Sequence, residues 1–216
     1  MRKAVFISGY LHYLSDNIKP FLNKNTDIFV HTWQDNDNKR WINKLKRYQK
    51  YCGNMSILIE KPKFERKRIS YLYSTYAAIK MAKNIDDYNI CIKFKPNLDA
   101  EEIEYNPDPF YHFRKAKLQS RPLLNDYKMD DCIYGTVHYK SIDERMFTAY
   151  PKTLKRIFHK PFNKFFNEIT SIDKKLSESM DENYEGSLLW TELFEKNNVP
   201  IIQDINLKLP NNRQWL

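Results

Sequence analysis

Glycine is scarce here, with four residues in 216, and that scarcity removes several kinds of chemistry at once. No Gly-x-x-x-x-Gly-Lys-Ser/Thr loop and no Gly-x-Gly-x-x-Gly run occurs, so neither a Walker phosphate cradle nor a dinucleotide fingerprint is present. A Gly-x-Ser-x-Gly nucleophile elbow and a His-Glu-x-x-His zinc pair are missing as well. Architectures that depend on many tight turns are disfavoured for the same reason. The three cysteines, Cys52, Cys91 and Cys132, are odd in number and widely spaced, which supports neither a disulfide framework nor a Cys-x-x-Cys zinc site. They read as reduced, buried thiols. No run approaches the ~20 apolar residues of a membrane span. Met1-Arg2-Lys3 is followed by only Ala4-Val5-Phe6-Ile7, too short an apolar run for a secretory signal, so the start reads as a core strand of a cytoplasmic protein.

What is present is a soluble-globular composition, 42% hydrophobic and 29% charged, long enough for one domain with a real core. The net charge of +9 favours an anionic partner: a nucleotide, a nucleic acid or an acidic membrane surface. Short apolar or alternating runs predict strands at Ala4 to Ser8, Asp27 to Thr32, Met55 to Glu60, Asn89 to Phe94, Asp131 to Tyr139 and Val199 to Ile205. Helical spacing lies between them. Ser15 or Asp16 caps a short helix with Ile18, Phe21 and Leu22 inward. Trp41, Leu45 and Tyr48 repeat in a basic segment, and Ser70 caps a helix with Leu72, Tyr76, Ile79 and Lys83 on one stripe. Pro151 opens a helix at Lys152 to His159, and another near Tyr184 to Lys196 turns Leu188, Leu189, Leu193 and Phe194 inward. Strand alternating with helix predicts an α/β fold, a mostly parallel sheet of about six strands flanked by helices, with residues 100–130 as an excursion over one edge.

The informative stretch for chemistry is Asn89 to Asp99. A strand feeds a turn forced by Pro96, and Asn97 and Asp99 present two oxygen-bearing side chains at the strand's carboxyl end, where open α/β sheets bind ligands. Oxygen donors so placed suit Mn²⁺ or Mg²⁺, which bridges nucleotide phosphates and stabilises a departing diphosphate. The same residues also suit a polar turn that merely caps the next segment. Asp35-Asn36-Asp37 spells a second Asp-x-Asp, and a helix-capping loop is the better reading there. The histidines, His12, His31, His112, His138 and His159, are dispersed; His31 and His138 stand out because they lie on predicted central strands. Arg68 and Tyr71 open the Ser70 helix, where N-terminal N–H groups and a basic side chain suit a phosphate or uracil.

The order of Val5-Phe6-Ile7-Ser8-Gly9-Tyr10, Asp27-Ile28-Phe29-Val30-His31-Thr32-Trp33, Tyr88 to Asp99, Ser141-Ile142-Asp143-Glu144-Arg145-Met146-Phe147 and Tyr184-Glu185-Gly186-Ser187-Leu188-Leu189 resembles a nucleotide-sugar glycosyltransferase. In particular it is similar to the small glycosyltransferase domain of chlorella viruses and to bacterial lipopolysaccharide-synthesis proteins. The resemblance spans nearly the whole chain, and its motifs are short. It implies a GT-A type fold over 1–216, with residues 1–99 as the nucleotide-binding half and 100–216 as the acceptor and catalytic half, in a stand-alone enzyme or a module of a longer one. Ser8, Gly9 and Tyr10 would then lie under the nucleotide, with His31 and Trp33 nearby. Lys93 and Lys95, two residues apart, would share one face beside the diphosphate. Asn97 and Asp99 would hold the metal. The family's Arg-Pro-Asp-Leu here reads Lys95-Pro96-Asn97-Leu98, an amide replacing the carboxylate and shifting the burden to Asp99. Asp143 and Glu185 would serve near the transferred sugar, as general base toward an acceptor hydroxyl or as stabiliser of an oxocarbenium-like state. Structural roles, capping a turn and complementing a helix N-terminus, remain open for both.

The expected activity is metal-dependent transfer of a hexose, or a deoxyhexose such as rhamnose, from a UDP-sugar to a glycan or glycoprotein acceptor, in the host cytoplasm if the protein is viral. Stable nucleic-acid binding is not part of that reading. The alternative is a basic nucleic-acid-binding module without catalysis, suggested by aromatic and basic residues interleaved at Tyr105 to Arg121 and Lys152 to Lys164. A third possibility is a peripheral membrane scaffold, with Phe158 to Phe166 and its lysines on anionic lipid.

Overall fold

A computed structural model describes residues 1–11, 14, 16–35, 38–96, 128–138, 141–180 and 186–203. Seven runs pair into one sheet: β1 (Lys3–Ser8), β2 (Thr26–Trp33), β3 (Asn54–Glu60), β4 (Ile90–Phe94), β5 (Ile133–His138), β6 (Ser141–Ala149) and β7 (Ile201–Gln203). Their spatial order is β3-β2-β1-β4-β6-β5-β7. β1, β2, β3 and β4 run parallel, β6 runs antiparallel to both β4 and β5, and β7 is parallel to β5. This is the mostly parallel α/β architecture that the alternation of elements predicts, with β6 as a strand beyond the expected six. Asp143, Glu144 and Arg145 interrupt its apolar pattern, so its pairing with β4 is visible only in space.

β1, β2 and β4 are buried on both faces, as parallel strands between helices must be, while β3 at the sheet's edge is largely exposed. Val5, Ile7, Ile28, Val30, Ile92 and Phe94 turn to one face, where α1 (Asn38–Tyr48) contributes Leu45 and a 3₁₀ turn at Asp16–Phe21 contributes Ile18 and Phe21. Ala4, Phe6, Phe29, Cys91 and Phe147 turn to the other, beneath α2 (Lys67–Lys80), α3 (Pro151–Phe158), α4 (Phe162–Met180) and α5 (Gly186–Lys196). α2 starts at Lys67, not at Ser70, whose hydroxyl donates to Phe64 O at 3.0 Å within the first turn. Its expected single stripe proves to be a nearly continuous buried surface from Leu72 to Ile79, because other helices cover it on the side away from the sheet.

α4 accounts for residues that the sequence leaves unassigned. Phe165, Ile169, Ile172 and Leu176 recur at helical spacing and enter the core. Phe158 and Phe165 are therefore core residues, and the lipid-facing reading of Phe158 to Phe166 does not hold for them. Nor is Lys152 to Lys164 an open basic surface: Lys152 pairs with Asp130 and Asp131, Lys155 with Asp86, Arg156 with Asp131 and Lys160 with Glu168. Tyr105 to Arg121 lies outside the described residues. Buried Asp173 on α4 draws in the guanidiniums of Arg66 and Arg68, tying the start of α2 to α4. All three cysteines are free and buried, as expected.

Phe147 is the aromatic hinge between the inserted strand and the helical layer. It is fully buried, lies opposite Lys93 in the sheet, and meets the rings of Trp190 and Phe194 edge-on at 5.6 and 5.5 Å. Phe147→Ala is expected to lower the unfolding free energy by about 3–5 kcal/mol, read as a shift of the urea midpoint at unchanged slope.

Candidate functional site

The strand order reverses between β1 and β4: the chain moves outward through β2 and β3, then returns on the far side of β1. In open α/β sheets, ligands bind outside the carboxyl ends of the strands at such a reversal. Ser8, Gly9 and Tyr10 leave β1 there, and Lys95 and Pro96 leave β4 there. The first turns of α2 stand over the same rim.

Gly9 has φ +105°, a conformation that other residues rarely adopt. A Cβ built on it would lie 2.9 Å from Tyr71 Cε1, so the Tyr71 ring rests directly on the bare turn. The Lys95 ammonium sits 4.0 Å from the centre of the same ring, a cation–π contact. Four residues that the sequence nominates separately, Ser8, Gly9, Tyr71 and Lys95, are thus assembled within one small region. Lys93 and Lys95 do share a face, as alternation predicts. Lys93 is fully buried with its ammonium 5.3 Å from the Trp190 ring of α5, and Lys95 is 6% exposed.

A chain of hydrogen bonds holds the Gly9 turn from beneath. Gly9 N–H donates to Ser74 Oγ at 2.8 Å and also approaches His31 O at 3.2 Å. Ser74 Oγ lies 2.7 Å from His31 Nδ1, and His31 Nε2 lies 3.0 Å from Glu60 Oε2. Tyr73 donates its hydroxyl to Glu60 at 2.7 Å, and Lys63 donates to both Glu60 and Tyr73. Burial drives the His31 pKa down, against the pull of Glu60. In the neutral ring that results, Nε2–H donates to Glu60 and Nδ1 accepts from Ser74, which satisfies every member of the chain. Ser8 Oγ and Thr75 Oγ1, 2.9 Å apart, add a second tie between β1 and α2.

His31 is fully buried, and Trp33 is almost so, stacked on Tyr73 at 5.8 Å. Both end β2 as expected, and their side chains face α2; Tyr10 packs against the same Trp33 and Tyr73 cluster. Arg68 reaches the rim's edge with its Nε bonded to Asp173 at 2.5 Å and its Nη2 to Ser177 at 3.1 Å. Gly186, the first residue of α5, lies beside it. Lys95 N–H donates to Arg145 O at 2.8 Å, extending the β4–β6 register, so β6 carries the backbone of Asp143 past the end of β4 to this rim. Ile142 N–H donates to Thr191 at 3.0 Å, joining that part of β6 to α5. The side chains of Asp143 and Glu144, and residues Asn97, Asp99, Asn36, Asp37 and Glu185, lie outside the described residues. Among the described residues, no group of three His, Cys, Asp or Glu side chains could hold a metal ion.

Sequence reasoning finds the ends of the strands but passes over Glu60, Lys63, Tyr73 and Ser74. Glu60 offers one signal, a carboxylate closing the otherwise apolar strand β3. The rest emerges only when α2 is laid on the sheet.

Burial raises the Glu60 pKa, but hydrogen bonds from Lys63, Tyr73 and His31 outweigh it and hold the carboxyl at about 2, against an ordinary 4.5. Stability from Glu60 is therefore complete above pH 4.5 and lost as pH falls toward 2. The shift corresponds to on the order of 3 kcal/mol. His31, kept neutral by burial, adds a loss that begins earlier, as pH falls below 6.5 where the unfolded chain takes up a proton first. Denaturation midpoints measured from pH 7 to pH 3 are expected to fall in two stages, and Glu60→Gln to flatten the lower stage while deepening the upper one, since Glu60 no longer holds the His31 pKa up.

No protein-family model and no curated protein matches this chain. Solved structures do. The glycosyltransferase GlyE of Streptococcus pneumoniae TIGR4 superposes with a TM-score of 0.53 at 10% identity, over 94% of this chain and 46% of GlyE. The apo form of GlyE gives a TM-score of 0.48 at 11% identity, over 92% of this chain and 44% of that one. Mouse xyloside xylosyltransferase 1, also apo, gives 0.42 at 7% identity, over 93% and 83%. The chain spans less than half the length of GlyE. At 10% identity the first superposition speaks for the fold alone: the chain shares the fold of a part of the glycosyltransferase GlyE.

Proposed function

We propose that the protein is a glycosyltransferase that takes a sugar from a nucleotide-sugar donor, a UDP-sugar, and passes it to a glycan acceptor. The observation that supports this most directly is the rim of β1 and β4. There a side-chain-free turn at Gly9, an aromatic ring at Tyr71 and two inward-facing lysines lie together in a glycosyltransferase fold. Gly9 lets the Tyr71 ring settle against the turn, Tyr71 offers a ring to a base or ribose, and Lys95 and Lys93 supply positive charge where a diphosphate gains charge on departure.

In this reading Asn97 and Asp99, just after β4, hold Mn²⁺ or Mg²⁺. Their oxygen donors suit a hard cation, and a cation held by them would supply positive charge that favours departure of the diphosphate. Asp143, carried to the rim by β6, and Glu185, immediately before α5, are the carboxylates assigned to deprotonating the acceptor hydroxyl or stabilising positive charge at the anomeric carbon. The donor sugar, a hexose or a deoxyhexose such as rhamnose, and the narrower kinship with chlorella-virus and lipopolysaccharide enzymes belong to the same proposal.

The test is thermal unfolding with UDP, UDP-sugars, GDP or ADP, each with Mn²⁺ or chelator, followed by release of UDP from each UDP-sugar. Saturation a hundredfold above Kd adds about 2.7 kcal/mol, which for a chain of this length raises Tm by roughly 5–10 °C. UDP compounds are expected to stabilise the wild type in the presence of metal. Asp99→Ala is expected to abolish the metal-dependent part. A wild type indifferent to every nucleotide under both conditions overturns the donor site.

A second expected outcome concerns the turn itself. Gly9→Val forces a side chain into the Tyr71 ring and strains a positive φ, so it is expected to weaken UDP binding at least tenfold, about 1.4 kcal/mol. Lys95→Ala, which leaves the backbone alone, is expected to weaken UDP more than uridine, because it removes charge opposite the phosphates. Isothermal titration with both ligands separates the two effects.

A further inference from the structure

Among the described residues, α1 and the turn that follows it carry a dense run of positive charge. Lys39, Arg40, Lys44, Lys46, Arg47 and Lys50 fall between Asn38 and Tyr51 with no acidic residue among them, giving +6 of the chain's +9. Among the described residues, Lys39, Arg40, Lys46, Arg47 and Lys50 pair with no carboxylate, and all five are exposed. The cations of α3 and the α3–α4 turn, Lys152, Lys155, Arg156 and Lys160, behave oppositely, each meeting an Asp or Glu. Other exposed cations, among them Lys61, Lys67, Lys83, Lys164 and Lys196, also meet no carboxylate among the described residues, but they are spread over separate elements, whereas five fall together on α1 and the turn after it.

That helix is not purely ionic. Tyr51, just past its end, is 50% exposed, and Ile59 on the neighbouring edge strand β3 is 46% exposed. Trp41 and Ile42 are half-buried against the core beneath, and Arg40 and Lys44 lie over the Trp41 ring at 5.7 and 5.3 Å. Cations flanking aromatic and aliphatic side chains on one helix are the chemistry of a surface that meets anionic headgroups and the top of the acyl region. A single-strand polynucleotide site would instead present several exposed stacking rings along a groove; here Trp41 is half-buried, Tyr51 is a single exposed ring at the end of the run, and Ile59 is aliphatic.

Asn38, the first residue of α1, donates to Trp33 O at 2.7 Å and accepts from Leu11 N–H at 2.8 Å. It thereby fixes the start of the helix to the segment that follows the Gly9 turn. We propose that the α1 face docks the protein on the surface of an anionic phospholipid bilayer, setting the carboxyl rim of the sheet near the lipid headgroups. The docking stands independently of the sugar-transfer reading.

The experiment is vesicle sedimentation of the full chain. Vesicles of phosphatidylcholine with about one-third phosphatidylglycerol, a fraction chosen to give a strongly anionic surface, are compared with phosphatidylcholine alone, at low and high salt. The variant Lys39→Gln/Lys46→Gln/Arg47→Gln/Lys50→Gln is set beside Lys174→Gln/Lys175→Gln, two exposed cations of α4. Each cation near a charged surface changes partitioning about fivefold. The wild type is expected to sediment with anionic vesicles only, to be released by salt, and to lose at least a hundredfold in the α1 variant. The α4 variant is expected to lose no more than the general charge effect. Both variants should keep the wild-type Tm, since the residues changed are exposed. Equal binding by the α1 variant and the wild type, absence of binding to anionic vesicles, or displacement from them by a stoichiometric homopolymeric RNA overturns the proposal, the last in favour of a nucleic-acid face.

Discussion

The arrangement of the rim depends on how α2 meets the ends of β1 and β2. Along most of its length α2 packs on hydrocarbon, but at Ser74 and Thr75 it meets the sheet through hydroxyls. Ser74 takes the Gly9 N–H and faces His31, and Thr75 faces Ser8. Hydrogen bonds are directional where dispersion is not, so this seam fixes the rotation and height of α2 over the strands. Tyr71 sits one turn earlier on the same helix, and its contact with bare Gly9 follows from that placement. Moving the seam would move the ring that Lys95 faces.

The seam is buried, and buried polar groups are costly unless satisfied. His31 solves this by spanning it: one ring nitrogen serves Ser74 inside, the other reaches Glu60 nearer solvent, where Lys63 neutralises the carboxylate. Burial favours the neutral ring, and a neutral ring has the one donor and one acceptor that the chain of bonds requires. His31 in this way supports the Gly9 turn from beneath.

Charge is organised with similar economy. Asp173 gathers Arg66 and Arg68 at the start of α2, Asp27 holds Arg2 and Tyr88 at the opposite end of the sheet, and the acids around α3 match its cations. The densest run of cations that meet no carboxylate among the described residues lies on α1 and the turn after it, on the face of the sheet away from α2. The fold shared with part of GlyE thus has its candidate site beneath α2 and a basic surface behind, joined through Asn38.

The sequence by itself determined the α/β class, the parallel core strands and the positions at which they end. Apolar runs with period two, and helices between them, suffice for that. The resemblance to nucleotide-sugar glycosyltransferases nominated Ser8, Gly9 and Lys95, and the start of a helix nominated Tyr71. The helical recurrence of Phe165, Ile169, Ile172 and Leu176 went unassigned, although the spacing is present in the sequence. Tertiary structure alone decided that β6 enters antiparallel beside β4, since its charged middle hides the strand period. It alone decided which lysines and arginines are matched, because ion pairs such as Lys155 with Asp86 join residues far apart in the chain. And it alone decided that His31 supports the rim from below, for the two partners that set its tautomer come from different elements, β3 and α2, and no local pattern relates them.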